Sequence, residues 1–252
     1  MLNILKTDFY KAFRTPSFWV ISIITIFSSL MSSIAVFWLY TAPEFSEFIS
    51  AVQPNFFQTV PQVLIGCVFL IGIFAVMFSV SDFNYGTIKN IASKGYRREY
   101  IYLSKFVTAI GFAIITLLLS FLTSFITAQI MVNTKISEFF KYNEDFHTLL
   151  SKYALSIVAY ISIAILLAML FRSLGSALSI FLVFFFLENS AVQLINKLIH
   201  NIFNSDFSVA PYSISGAFTD PDKTVQGVIV VLVYIAAATA IGLYTFRKRD
   251  IN

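Results

Sequence analysis

Six stretches of this chain are too apolar to be left in water. A helix crossing the hydrocarbon core of a bilayer needs about 20 apolar residues at 1.5 Å each. Residues 17–40, 61–80, 106–132, 153–171 and 225–246 all meet that requirement. A sixth stretch, 174–187, is apolar over only about 21 Å of helix, and reaches full width only by running through Glu188 to about Ile195. The first stretch is longer than the core of a signal peptide, and no small-residue cleavage site follows it, so it is expected to span rather than to be removed. Composition agrees: 58% of the 252 residues are apolar and 12% are charged, whereas a soluble domain carries about 25% charge. So few charges cannot coat a soluble globule. A soluble enzyme, a disordered chain and a nucleic-acid-binding domain are thereby excluded. The expectation is an all-α polytopic membrane protein, residues 1–252 forming one transmembrane domain with six spans at about 17–40, 61–80, 106–132, 153–171, 174–195 and 225–246.

Charge placement sets the expected orientation. With an even number of spans both ends lie on one side, and Lys and Arg concentrate on the cytoplasmic side. If the termini are cytoplasmic, the inner segments hold Lys6, Lys11, Arg14, Lys89, Lys94, Arg97, Arg98, Lys105, Arg172, Arg247, Lys248 and Arg249. The outer loops hold Lys135, Lys141, Lys152, Lys197 and Lys223. Inner acids are Asp8, Asp82, Glu99 and Asp250; the other acidic residues fall outside. Trp19 sits near the inner end of the first span, with Trp38 and Tyr40 at its outer end, as interfacial anchors do.

Residues 1–15 read as an interfacial amphipathic helix. Leu2, Leu5, Phe9 and Phe13 share a face, with Lys6, Asp8, Lys11 and Arg14 off it, a pattern that suits a helix lying in the inner leaflet. Thr15-Pro16 restarts the helix, Thr as N-cap and Pro at the first helical position. The longest inner loop, 81–105, is basic but also carries Ile88, Ile91, Tyr96, Tyr100, Ile101 and Tyr102. Gly86 and Gly95 bracket a short helical stretch, 87–94, and Gly95 fits a left-handed stop. A second helix begins near Arg97 and feeds the third span. The expected picture is a short helix across the cytoplasmic face, its apolar knobs available to a partner.

Two spans carry small-polar stripes: Ser22, Thr25, Ser29 and Ser32 in the first, and Thr116, Ser120, Thr123 and Thr127 in the third. Such stripes serve close helix packing or line a path for an amphiphilic substrate; both readings are open. In the fifth span, Glu188 follows the apolar run and 191–203 is strongly amphipathic. A charge at that depth is costly, so the helix is expected to break near Glu188 and turn into a re-entrant or interfacial outer segment. Its carboxylate then either caps the turn or serves a gate or a cationic substrate. Cys67 is the single cysteine, and His147 and His200 have no ligand spacing around them, so neither a disulfide nor a metal site is expected. No G-x-x-x-x-G-K-[ST] phosphate loop occurs.

The residues L-K-T-D-F-Y-K-A-F-R-T-P-S-F-W at the start, the loop Gly86-Thr87-Ile88-Lys89-Asn90 followed by Ser93, Gly95, Arg97, Arg98 and Lys105, and the short fifth span with its outer amphipathic segment form a pattern. It resembles the permease subunits of bacterial ATP-binding-cassette exporters of the type 2 class. It is most similar to the six-span permeases associated with bacteriocin and lantibiotic self-immunity, bacitracin resistance and export of amphipathic peptides. The resemblance implies a subunit of the bacterial plasma membrane with both termini cytoplasmic and no catalytic residue, metal or cofactor of its own. ATP and Mg would be held by a separate cytoplasmic ATPase docking on a coupling helix. Asp82, Gly86, Thr87, Ile88, Lys89, Ile91, Gly95, Arg97 and Arg98 would form that coupling region. A second permease copy, identical or homologous, would complete the transporter, with membrane lipids as the remaining partner and no nucleic acid. On the substrate-path reading of the small-polar stripes, Ser22, Thr25, Ser29, Thr116, Ser120 and Thr123, with Glu188, would line that path. The cargo would be an amphipathic peptide or another hydrophobic substrate. Lipid or small-drug export, and a non-transport membrane enzyme or channel-like protein, are the alternatives.

The orientation is directly testable. Cysteine introduced as Glu47→Cys or Glu138→Cys is expected to react with an impermeant maleimide in whole cells, and Lys94→Cys only after lysis. Reaction of Lys94→Cys in intact cells reverses the assignment.

Overall fold

The computed structural model describes residues 2–41, 56–131, 146–203, 209–218 and 224–248. The expected outer-loop positions Glu47, Lys135, Glu138, Lys141 and Lys223 lie outside the described residues. The described chain is all-helical: α1 (Leu2–Arg14), α2 (Pro16–Thr41), α3 (Phe56–Asn84), α4 (Thr87–Ser93), α5 (Arg98–Met131), α6 (Phe146–Phe171), α7 (Leu174–Phe203), a 3-10 turn (Ala210–Tyr212) and α8 (Thr224–Lys248). Six of these helices, α2, α3, α5, α6, α7 and α8, are long and apolar enough to cross a membrane. The protein is a multi-pass membrane protein.

α3 and α6 form the centre of the bundle. α3 packs against α2, α5, α6 and α7, and α6 against α5, α7 and α8. Their inward side chains, Phe74, Ala75, Val76, Ile161, Ala164 and Ile165, are completely buried. The periphery is as apolar as the centre: Phe27 of α2, Leu118 of α5, Val183, Phe186 and Leu194 of α7, and Val233 of α8 are all more than half exposed. In a bilayer that surface faces a solvent with no water to avoid, so apolar residues cover both sides of each helix.

The helix boundaries follow local chemistry. α1 stops at Thr15, whose hydroxyl donates to the carbonyls of Lys11 (3.0 Å) and Ala12 (2.6 Å). The expected N-cap of α2 therefore serves the end of α1 instead, while Pro16 opens α2 as expected. Gly86 (φ 64°) and Gly95 (φ 79°) adopt left-handed backbone on either side of α4, the conformation glycine takes at least cost. α6 and α7 are joined by Arg172 and Ser173 alone. Arg172 takes φ 53° there, a left-handed residue of the kind that ends helices.

One expectation fails. α7 does not break at Glu188; it runs unbroken from Leu174 to Phe203, and the amphipathic stretch 191–203 is its outer extension. The segment that turns back is 209–218, between α7 and α8, where Ile214 and Ala217 are buried. Glu188 makes this possible without a helix break. Its Oε1 accepts the backbone N–H groups of Ile214 (2.7 Å) and Ser215 (3.2 Å), and its Oε2 accepts the hydroxyl of Tyr160 on α6 (2.6 Å). Asn196 Oδ1 accepts the N–H of Val209 (2.7 Å), and the Tyr234 hydroxyl of α8 donates to the Tyr212 carbonyl (3.1 Å). Glu188 lies about 21 Å along α7 from Leu174, and irregular backbone at such depth persists only when its polar groups are satisfied by protein or cavity water. A carboxylate bonded to three donors is also the cheapest way to keep a charge there. The sequence left this carboxylate either capping the turn or serving a gate or cationic substrate; the amides it accepts come from 209–218, not from the start of the amphipathic stretch.

Glu188→Gln keeps an acceptor for the two amides and is expected to cost about 1 kcal/mol. Glu188→Ala strands both amides and is expected to cost about 2–4 kcal/mol. Thermal unfolding of the purified protein in detergent reads the difference. Equal loss for both substitutions overturns this account of the segment.

Candidate functional site

Lys105 enters about 10 Å along α5 from Arg98, between Ser104 and Phe106, with its side chain fully buried. A lone ammonium in that position is prohibitively costly. Two carboxylates from two other helices answer it. Asp8 of α1, fully buried, places Oδ1 2.7 Å from Lys105 Nζ and accepts the Ser104 hydroxyl at Oδ2 (2.6 Å). Asp82 of α3, 3% exposed, pairs with Lys105 through Oδ2 and with Lys11 Nζ through Oδ1 at 3.4 Å. The four charges cancel. The Lys105 ammonium also stands 4.4 Å above the Phe78 ring, a favourable place for a desolvated cation. Phe74, Phe78, Phe112 and Phe18 then close the apolar side, with Phe74 stacked on Phe112 at 3.7 Å and Phe18 meeting Phe112 at 5.1 Å.

This cluster corrects the reading of α1. Asp8 was expected among the polar flanks; it faces the protein with Ile4 and Ala12, while Leu2 and Phe13 face outward. Phe9 packs where Gly111 of α5 leaves room: a Cβ at that glycine would stand 2.6 Å from the ring.

The residue after Asp82 extends the connections. Phe83 receives the Arg172 guanidinium of the α6–α7 turn over its ring at 5.4 Å and meets Phe246 near the end of α8 edge-on at 6.3 Å. Asp82 and Phe83 together touch α1, α5, the α6–α7 turn and α8, three residues before the left-handed Gly86 that starts the turn into α4. α4 is itself seated in the bundle. Ile88 is 1% exposed and faces the bundle, not outward as expected, while Ile91 is half-buried against the core. Thr87 is half-buried, and Lys89 lies within α4. Tyr85 (82%), Ser93, Lys94 and Arg97 are among the exposed residues around α4 whose side chains are described. Arg98 Nη1 donates to the Arg247 carbonyl at the end of α8 (3.0 Å), and Arg247 approaches Glu99 at 3.7 Å on the surface. Asp82 and Arg98, grouped from sequence with the docking surface, thus make internal ties between helices.

Most of each small-polar stripe is buried, with Ser32, Thr123 and Thr127 half-buried. Ser22, Thr25, Ser29, Thr116 and Ser120 have at most 4% exposure, and α2 packs directly on α5. Thr25, Ser29, Thr116, Ser120 and half-buried Thr123 return their hydroxyls to carbonyls of their own helices. Ser120 also meets Cys67 Sγ of α3 at 3.5 Å. Glu188 stands apart from both stripes, in its contact with Tyr160 and the 209–218 segment.

Sequence reading missed the pairing of Asp8 with Lys105. A signal was present: Lys105 sits between Ile101-Tyr102 and Phe106-Val107, so its neighbours are apolar on both sides and a nearby anion is required. Asp8 recurs four residues from Ile4 and from Ala12, on a narrower stripe than the Leu-Phe face. Among the described residues no group of His, Cys, Asp and Glu is arranged to hold a metal ion.

A family model described as a protein of unknown function (DUF2705) matches residues 17–252, and the chain belongs to that family. No curated protein matches it.

Lys105→Met leaves Asp8 with only the Ser104 hydroxyl and Asp82 with only Lys11 and is expected to destabilise by about 3–5 kcal/mol. The triple change Asp8→Asn, Asp82→Asn, Lys105→Met is expected to recover more than half of that loss. Thermal unfolding in detergent checks both; a triple variant no more stable than Lys105→Met overturns the pairing scheme.

Proposed function

We propose that this DUF2705 member is the membrane subunit of an ATP-driven exporter, with hydrolysis on a separate cytoplasmic ATPase that docks at α4. One observation carries the reading: the two residues at the end of α3, Asp82 and Phe83, reach α1, α5, the α6–α7 turn and α8, directly before the glycine-bracketed α4. A short helix seated through Ile88 and leashed to that junction passes a push on its outer face into the bundle. A loose loop does not. The excess of Lys and Arg at this end supports a cytoplasmic location for it.

The remaining parts fit the same reading. The cargo is an amphipathic peptide or a comparably hydrophobic substrate, moved between α2 and α5. Opening that contact strands few polar groups, because Thr25, Ser29, Thr116, Ser120 and Thr123 are already hydrogen-bonded within their own helices. A second permease copy completes the transporter. The weakly polar, phenylalanine-rich interior (29 Phe in the chain) suits such a cargo better than an ion, whose path would need charged groups along the span.

The buried Ile88 is unsuitable for testing docking, because its substitution disturbs the core. The exposed residues are suitable. Tyr85→Ala combined with Lys94→Glu and Arg97→Glu is expected to lower recovery of a nucleotide-binding ATPase subunit with the protein purified from its native membrane by at least about tenfold, a change of about 1.4 kcal/mol, with membrane insertion and thermal stability unchanged. Undiminished co-purification with normal export of the peptide overturns the proposal.

A further inference from the structure

α1 has three faces. Ile4, Asp8 and Ala12 point into the protein. Leu2 and Phe13 are 80% and 44% exposed on the other side of the helix, and Lys6, Tyr10 and Arg14 occupy the edge beside them, all exposed. The Arg14 guanidinium lies 4.6 Å over the Tyr10 ring. The sequence gives α1 three cations and one anion, but the structure redistributes them. Asp8 is buried against Lys105, and Lys11 leans onto Asp82. What remains outward is Lys6 and Arg14 with no acid on the same face.

The depth of α1 is also constrained. Phe9 packs on Gly111, inside the apolar run of α5, so the inner side of α1 lies at the level of the hydrocarbon. Trp19, 58% exposed, donates its indole N–H to the Phe13 carbonyl at 2.9 Å and ties the start of α2 back to the end of α1. A helix edge with apolar side chains below, two cations above and aromatic rings between has the layering of a bilayer interface.

We infer that the Lys6–Tyr10–Arg14 edge of α1 is a binding surface for anionic phospholipid headgroups, which collect beside this helix in preference to zwitterionic ones. Charge complementarity selects the occupant. Each cation near a membrane surface favours anionic lipid, and burial of Asp8 removes the one carboxylate that would oppose it. The cost of holding Asp8 inside is met by Lys105, so the same ion pair that docks α1 also makes its outer edge purely cationic. This inference does not depend on what the protein transports.

Trp19 is the reporter. Trp38→Phe removes the other tryptophan, which lies about 28 Å along α2. The Trp38→Phe protein is reconstituted in vesicles of 80% phosphatidylcholine and 20% phosphatidylglycerol, with acyl-chain bromine on one lipid or the other. Per mole of brominated lipid, phosphatidylglycerol is expected to quench Trp19 at least about threefold more than phosphatidylcholine. Adding Lys6→Gln and Arg14→Gln is expected to bring the ratio to about one while the thermal transition stays in place. In the Trp38→Phe protein, about 0.5 M salt is expected to lower the ratio as well. Equal quenching by the two lipids, or a ratio unchanged in the Gln variant, overturns the inference.

Discussion

The Lys105 ammonium, held between the carboxylates of Asp8 and Asp82, is the interaction on which the arrangement of this end of the bundle depends. α1 is too short to span, so its place against the bundle comes from docking. Part of that docking is a set of charges hidden from both water and lipid. A buried ion pair contributes little net stability against an apolar equivalent, but removing one member is severely destabilising. It therefore acts chiefly by specifying which surfaces meet. Here it brings together α1, α3 and α5 with one shared cation, and the phenylalanine layer of Phe18, Phe74, Phe78 and Phe112 keeps lipid away from it.

The opposite end solves a related problem with different chemistry. The 209–218 segment has little regular structure, and its backbone amides at depth need acceptors. Glu188 supplies them from a neighbouring helix, aided by Asn196 and Tyr234. At one end a cation neutralises carboxylates; at the other, N–H and O–H donors stabilise one. Both arrangements place an ionised side chain where a non-spanning element is attached to the spans.

Much of the architecture was legible in the residues. The six spans, the glycine-bracketed α4 and the start of α5 near Arg97 follow from hydrophobic length and from two glycines whose backbone is left-handed, all local properties. The candidate site was legible only in its parts. Ile88 and Ile91 were recognised as apolar on a basic background, but nothing local says whether an apolar side chain on a short helix faces a partner or the bundle. Ile88 turned inward because the bundle was there to receive it. Asp82 was placed in the coupling region by the resemblance, yet its partners come from α1 and α5.

The break expected at Glu188 shows the division most clearly. Reasoning along the chain treated the carboxylate as an obstacle that the helix must avoid, since within one helix no partner for it exists. In the folded protein Tyr160 is 28 positions earlier and Ile214 is 26 positions later, and with them the helix continues. The sequence by itself determined how many helices are long and apolar enough to cross and where glycine brackets α4, because those outcomes depend on side chains within a few residues of each other. Tertiary structure alone decided which charges meet, which face of α1 is inward and which segment turns back. A buried charge is tolerable only beside its partner, and for Lys105 and Asp8 that partner lies 97 residues away.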